Sequence, residues 1–365
     1  MMKNLPNVLY ALSLLLLLAF FYQGLGSAGF LNSGVFLLGA LFSLVVVGFI
    51  DPRLKQHVFT LCLVGAVVLG IFYPQYFVHI GDFKFSSLIV PLIQLIMFTM
   101  GTEMSVKDFE GVLKMPKAVI IGLISHFTIM PLVAVTLATT FGFPSEIAAG
   151  IILIGSVPSG VTSNVLAFIA KANVPLSITI GTISTLMAPV MTPLLMKFLA
   201  GKYVEVDFLK MMLHVGEMII LPIILGLVLN SLFKAKLQVL KKVMPTISMV
   251  GVFMMLVVIV SSGRDALLKI GPFLFLASMI HHSIGYLLGY WSGRLAGLSE
   301  QTCRTISLEV GLQNGGLSSG IALQMGKIAT VGLASAISVP WMTISGSLLA
   351  NWWRSRPTDS ITKSK

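Results

Sequence analysis

The run Glu309-Val310-Gly311-Leu312-Gln313-Asn314-Gly315-Gly316-Leu317 sets a carboxylate, two side-chain amides and three glycines in otherwise apolar chain. In lipid, a charged group near the bilayer centre costs at least about 2.5–3.5 kcal/mol. Backbone loosened by glycine must line a cavity or be buried in protein. A second polar run, Gly155-Ser156-Val157-Pro158-Ser159-Gly160-Val161-Thr162-Ser163-Asn164, interrupts another apolar stretch. These side chains suit a hard cation, which takes oxygen ligands. Glu309 supplies a formal negative charge, and Ser163, Asn164 and Gln313 supply neutral oxygens. Unwound backbone near Gly311 can add the carbonyls of Val310 and Leu312. Half-helix N-termini at the same breaks favour an anionic group. The chemistry implied is cation coupling with an anion as cargo. The bland alternative is a pair of kinked, glycine-packed helices. It leaves Glu309, Gln313, Ser163 and both asparagines without a role.

The elements that must position these groups are apolar spans. Of 365 residues, 56% are hydrophobic and 10% charged; mean hydropathy is +0.97. Soluble chains carry about 25% charged residues, so the expected class is an all-α polytopic membrane protein. Twelve apolar segments stand near 7–24, 29–50, 57–76, 86–104, 117–140, 145–169, 175–199, 209–233, 244–262, 271–292, 301–325 and 330–353. Each approaches the roughly 20 residues that cross a bilayer. With both termini cytoplasmic, inside positions hold 17 Lys and Arg and outside positions 6, with Lys197 within a span. That asymmetry follows the positive-inside rule. It accounts for the net charge of +11 without a nucleic-acid partner. Cys62 and Cys303 stand alone, giving neither a zinc site nor a disulfide framework.

The last ten spans split into two fives, 57–199 and 209–353. Five is odd, so two similar halves enter the membrane in opposite directions. Asn164 lies 107 residues after position 57, and Asn314 lies 105 after position 209. Interrupted spans at corresponding places in two halves point to a transporter site. The expected division is an extra two-helix segment at 1–56, a first inverted repeat at 57–200, a second at 201–354 and a disordered polar tail at 355–365.

The two breaks, with Leu176-Ser177, Ile183-Ser184-Thr185-Leu186, Gly285-Tyr286-Leu287-Leu288-Gly289 and Ile344-Ser345-Gly346-Ser347-Leu348-Leu349-Ala350, resemble the bile acid:sodium symporter family over roughly 57–354. The resemblance implies a ten-helix core of two inverted five-helix repeats. Two crossing broken helices, here 145–169 and 301–325, hold the ions, and a panel moves against a core. It implies sodium-coupled symport of a small organic anion, with no cofactor besides the coupling ion. Ser163, Asn164, Ser177 and Glu309 resemble the first sodium site. The threonine the family carries there falls at Gly181, beside Thr182. Glu309, Gln313 and the carbonyls of Val310 and Leu312 resemble the second site, whose remaining glutamine is replaced by His126. Asn314 matches a substrate-facing asparagine. Where bile-acid-binding bacterial members can carry His-Asn, this chain has Met342-Thr343. Bile acid as cargo is therefore not implied, and Thr343 is the remaining polar candidate.

Three readings of His126 stay open: a helix-packing hydrogen bond, a weakened second sodium site, or a proton carrier near the ordinary histidine range of about 6.5. His281-His282 reads as packing, since adjacent helix residues diverge by about 100° and do not chelate together. His214 and Glu217 read as an interfacial pair, and the mixed charges from Lys107 to Lys117 as a solvated loop. Residues 1–50 carry few polar groups beyond Tyr22, Asn32 and Ser33, and read as peripheral packing or a dimer contact. The expected location is the cell (inner) membrane. The rival function is proton-coupled anion transport. An intramembrane enzyme using Glu309 is the more distant alternative, lacking a nucleophile–base pair or metal triad.

Overall fold

The computed structural model describes residues 5–25, 29–55, 57–104, 114–232 and 238–358. Most of the Lys107–Lys117 loop and most of the polar tail lie outside the described residues. Apolar sequence in lipid must satisfy its backbone internally, and the chain does so almost wholly as helix. Among the described residues, fourteen helices of eight or more residues follow in order: α1 (Leu5–Leu25), α2 (Gly34–Ile50), α3 (Val58–Phe72), α4 (Ile89–Glu103), α5 (Pro116–Thr140), α6 (Ser145–Ser156) and α7 (Thr162–Ile169). They continue as α8 (Val174–Leu195), α9 (Phe208–Leu232), α10 (Gln238–Ser262), α11 (Arg264–Leu295), α12 (Glu300–Gly311), α13 (Gly315–Gln324) and α14 (Val331–Arg354). A helical turn at Pro52–Lys55 joins α2 to α3, and a two-stranded hairpin, His79–Ile80 with Phe83–Lys84, lies between α3 and α4.

By length and composition, seven helical segments among the described residues can cross a membrane: Leu5–Leu25, Phe85–Thr102, Pro116–Thr140, Val174–Ala200, Phe208–Leu232, Arg264–Leu295 and Val331–Arg354. Gly34–Ile50, Val58–Phe72, Ser145–Ser156 and Thr246–Ser262 are shorter apolar helices. All twelve apolar segments carry helix, and two of them are interrupted as expected. Segments 145–169 and 301–325 each fold as two half-helices, α6/α7 and α12/α13. The reason lies at the breaks. Pro158 cannot donate to the preceding turn, and Val157 is already extended (φ −81°, ψ 160°). At the second break Leu312 is extended (φ −109°, ψ 114°) and Asn314 caps the next helix, accepting from the Leu317 amide at 3.0 Å.

Helix packing places these half-helices in the interior. α5 packs on α6, α11 on α12, and α5 on α11; α14 covers α6, α7 and α13. A second group is formed by α4 against α9 and α3 against α10, with α4 also on α10. The α4–α9 crossing is close because glycines face backbone: a Cβ at Gly101 would stand 2.3 Å from the Ile223 carbonyl oxygen, and one at Gly226 2.4 Å from that of Phe98. Small residues at such crossings let membrane helices approach. α1 packs on α2 and α2 on α3. Val8, Leu14, Leu15, Leu18 and Phe21 of α1 remain exposed, as suits a helix facing lipid. The chain is an integral membrane protein: its long apolar helices have no other apolar solvent.

Candidate ion-binding site

The two breaks meet. Ser159 and Gln313 form an isolated antiparallel bridge. The Gly160 amide donates to the Leu312 carbonyl at 3.0 Å, and the Asn314 amide to the Pro158 carbonyl at 2.8 Å. Backbone groups freed by the breaks are thus paired with each other. A Cβ at Gly160 would fall 2.8 Å from the Gln313 carbonyl oxygen, so the crossing needs a glycine there.

Around this crossing lie fully buried polar side chains. Glu309, on the last turn of α12, is buried. Its Oε1 accepts a hydrogen bond from the Ser177 hydroxyl of α8. Ser163 and Ser159 lie near this carboxylate without a hydrogen bond to it. Ser177 further pairs with Asn164 Oδ1 at 2.8 Å. Gln313 Nε2 donates to the Val310 carbonyl at 2.8 Å, which turns its amide oxygen the other way. Four buried oxygens then lack any hydrogen-bond partner: Glu309 Oε2, Ser159 Oγ, Ser163 Oγ and Gln313 Oε1. No basic side chain among the described residues forms an ion pair with Glu309. A buried carboxylate without a cationic partner is strongly disfavoured, and unpaired oxygens around one carboxylate are the donor set of a hard cation.

The structure thus brings together Ser163, Asn164, Ser177, Glu309, Val310, Leu312 and Gln313. The Val310 and Leu312 carbonyls each accept one hydrogen bond, and a carbonyl keeps a second lone pair. Position 181 faces Glu309: a Cβ on Gly181 would lie 3.6 Å from Glu309 Oε2. Thr182 is the next residue, about 100° around the helix. Asn314 spends its side-chain oxygen on capping α13. Thr343 donates to the Val339 carbonyl of its own helix at 2.7 Å.

His126 lies at the crossing. Its Nδ1 is 2.9 Å from the Glu309 carbonyl oxygen and its Nε2 2.9 Å from that of Val157. It joins the C-terminal ends of both first half-helices. Both partners are acceptors, whereas a neutral imidazole carries a single N–H. His281 and His282 do not form a metal cluster; among the described residues no such group occurs. His281 Nε2 meets the Met130 carbonyl at 2.9 Å, and His282 Nδ1 that of Gly311 at 2.8 Å. They serve packing around the same crossing.

Two residues were not singled out from sequence. Ser159 stands inside the first polar run, and only its pairing with Gln313 across the crossing reveals its position. Arg304 was counted merely as a loop charge. It is buried, donating to Glu300 Oε1 at 2.9 Å, to the Ala170 and Trp353 carbonyls at 3.1 Å each, and to that of Pro357 at 2.9 Å. It ties the start of α12 to the end of α14.

Comparison with known proteins supplies the ancestry of this arrangement. Residues 90–270 match the profile of the Sodium Bile acid symporter family. An uncharacterised sodium-dependent transporter, YocS, of Bacillus subtilis (strain 168) is 37% identical over 296 residues, 81% of this chain and 90% of that protein. The chain belongs to the sodium bile acid symporter family. A probable sodium/metabolite cotransporter, the chloroplastic BASS1 of Arabidopsis thaliana, is 35% identical over 71% of this chain and 64% of its own length. The ileal sodium/bile acid cotransporter of Oryctolagus cuniculus is 31% identical over 65% of this chain and 69% of its own length. These relatives are transporters by name, not enzymes, which sets aside the intramembrane-enzyme reading.

Proposed function

We propose that this protein is a secondary active transporter that couples sodium to the movement of a small organic anion by alternating access. One observation carries the reading: Glu309, buried with no cationic side chain paired to it, surrounded by unpartnered oxygens of Ser159, Ser163 and Gln313. Sodium supplies the missing positive charge. Ser163, Asn164, Ser177 and Glu309 form the better-furnished site, with Ser159 as an added hydroxyl. Thr182 and the second set, Glu309, Gln313 and the carbonyls of Val310 and Leu312, are weaker candidates. The relatives' printed descriptions as sodium-dependent or sodium/metabolite transporters agree with this coupling.

The finer architecture is part of the proposal. α3–α8 and α9–α14 are read as two inverted five-helix repeats. The packing supports this through matched pairs: α3 on α10 with α4 on α9, and α5 on α6 with α11 on α12. The division at 57–200 and 201–354 follows, with 1–56 as an appended segment and the tail from 355 cytoplasmic. α3, α4, α9 and α10 form one body and the remaining core helices another. The seam between α10 and α13/α14, lined by Met255, Ile259, Gly316 and Val339, holds a gap of about 10 Å³, about one water's worth. Movement between the bodies would open it to the anion, near Asn314 and Thr343. Loop charge supports cytoplasmic termini, and the cell membrane is the proposed location.

The test is uptake of labelled carboxylates into vesicles, with sodium replaced by choline. Accumulation that persists unchanged in choline sinks sodium coupling. The second reading, proton coupling, is favoured by His126, whose two ring nitrogens both face carbonyls and which would satisfy both only as an imidazolium. Uptake driven by a pH gradient in choline, and lost in His126→Gln, would select it.

A further inference from the structure

A cavity of about 700 Å³ lies between α11, α12 and the second half of α14. None of the candidate ion or anion residues lines it, and α3, α4, α9 and α10 contribute nothing to it. Its walls are aromatic and aliphatic: Tyr290, Trp352, Leu287 and Leu349. Its charge is one-sided. Arg294, Arg304 and Arg356 line it against the single carboxylate of Glu300. Glu300 is already committed, accepting from Arg304 Nε at 2.9 Å and from the Tyr290 hydroxyl at 2.6 Å. Arg304 is likewise spent on backbone carbonyls. Arg294 and Arg356 are left, and neither forms an ion pair among the described residues. The Arg356 guanidinium is held over the Trp352 ring, 4.1 Å from its centroid, which fixes a positive charge at the mouth.

The charged part of the lining sits near helix ends: α11 stops at Leu295, α14 at Arg354, and α12 begins at Glu300. Its rim continues into exposed apolar surface at Leu287, Leu295, Leu348 and Trp352. A tryptophan–arginine rim at a helix end is the chemistry of a membrane–water interface. A pocket with two arginines in no ion pair among the described residues and with leucine and tryptophan along its open flank fits one class of ligand. That ligand carries a phosphate at one end and acyl chains at the other. We propose that this cavity binds the headgroup of an anionic glycerophospholipid from the adjoining leaflet, with its chains lying over Leu287 and Leu348. The phosphate meets Arg294 and Arg356, and arginine recognises phosphate bidentately.

The test compares delipidated full-length protein with the Arg294→Gln/Arg356→Gln variant in neutral detergent. Native mass spectrometry counts bound lipid, and thermal unfolding reports its effect. Phosphatidylglycerol, phosphatidylcholine of the same chains and soluble glycerol 3-phosphate are added separately. Phosphatidylglycerol should be retained and should raise the unfolding midpoint, while phosphatidylcholine does neither. The double variant should lose about thirtyfold in phosphatidylglycerol affinity, roughly fivefold per basic side chain. It should keep its stabilisation by sodium, which shows that it is folded. Equal retention of the two phospholipids, or a variant that keeps the preference, overturns the proposal. Protection by glycerol 3-phosphate equal to that by phosphatidylglycerol also overturns it, because the site then takes a free anion rather than a lipid.

Discussion

Glu309 and Gly181 face each other across the site with nothing between them: a Cβ on position 181 would lie in ordinary contact with Glu309 Oε2. Position 181 thus accepts a Cβ without a clash, and the hydroxyl of Gly181→Thr is expected to reach the carboxylate edge where an ion would sit. An added contact to a charged group, worth about 1.5 kcal/mol, lowers half-saturating sodium roughly tenfold. Sodium titration of thermal stability measures this, and an unchanged midpoint removes position 181 from the site. Removal of charge has the opposite sign. Glu309→Gln should abolish sodium-dependent stabilisation and uptake, while Ser159→Ala should weaken sodium about tenfold by the same reasoning. His126 asks a different question. It occupies the Glu309 and Val157 carbonyls, so a second sodium there is poorly served and the Hill coefficient for sodium should be near one. His126→Gln brings back an amide oxygen and should raise it. If the substitution moves neither cooperativity nor the pH profile, His126 is packing alone. Glu309, Gln313, Ser163 and Asn164 were legible in sequence because polar groups are conspicuous in apolar spans. Ser159 was not, since its meaning depends on a partner more than 150 positions away.

The broken helices are the elements on which the site depends. Each break frees backbone groups that lipid cannot satisfy, and here the two breaks satisfy one another through Gly160–Leu312 and Asn314–Pro158 pairs. The crossing tolerates no side chain at position 160, where a Cβ would be 2.8 Å from the Gln313 carbonyl oxygen. Gly160→Ala should cost about 1–3 kcal/mol through overpacking and displace Gln313. Denaturation in detergent should show the loss, accompanied by weaker sodium stabilisation. Full stability with normal sodium response would show that the crossing can shift without harm. The positions of both breaks were readable from proline and glycine, but their mutual pairing was not. Two of the twelve apolar stretches fall short of a continuous span for this reason, since a hydropathy window sees one stretch where the backbone makes two half-helices; Gly34–Ile50, Val58–Phe72 and Thr246–Ser262 are unbroken but short.

For the whole molecule, α1 and α2 stand apart from the site, since α2 meets the rest through α3. A chain lacking residues 1–50 should keep sodium-dependent uptake per folded molecule, with reduced stability where α2 covered α3. Loss of transport by well-folded protein would give the segment a functional role. Loop charge orients the chain: a reporter fused after Lys365 should report the cytoplasm, and one in the hairpin loop near Gly81 the opposite side. An external C-terminus would overturn the orientation.

Composition and hydropathy alone determined the membrane class, because no water-soluble core accounts for so few charges among so many apolar residues. The polar breaks and their equal spacing in two halves were also written in the sequence, and the family resemblance rested on them. What tertiary structure decided was adjacency. It set Ser159 against Gln313, Gly181 toward Glu309, and the His126 ring between two carbonyl ends. Those relations depend on the crossing and rotation of helices from opposite halves of the chain. Helix rotation is settled by side-chain packing across the whole bundle, which no local pattern of residues records.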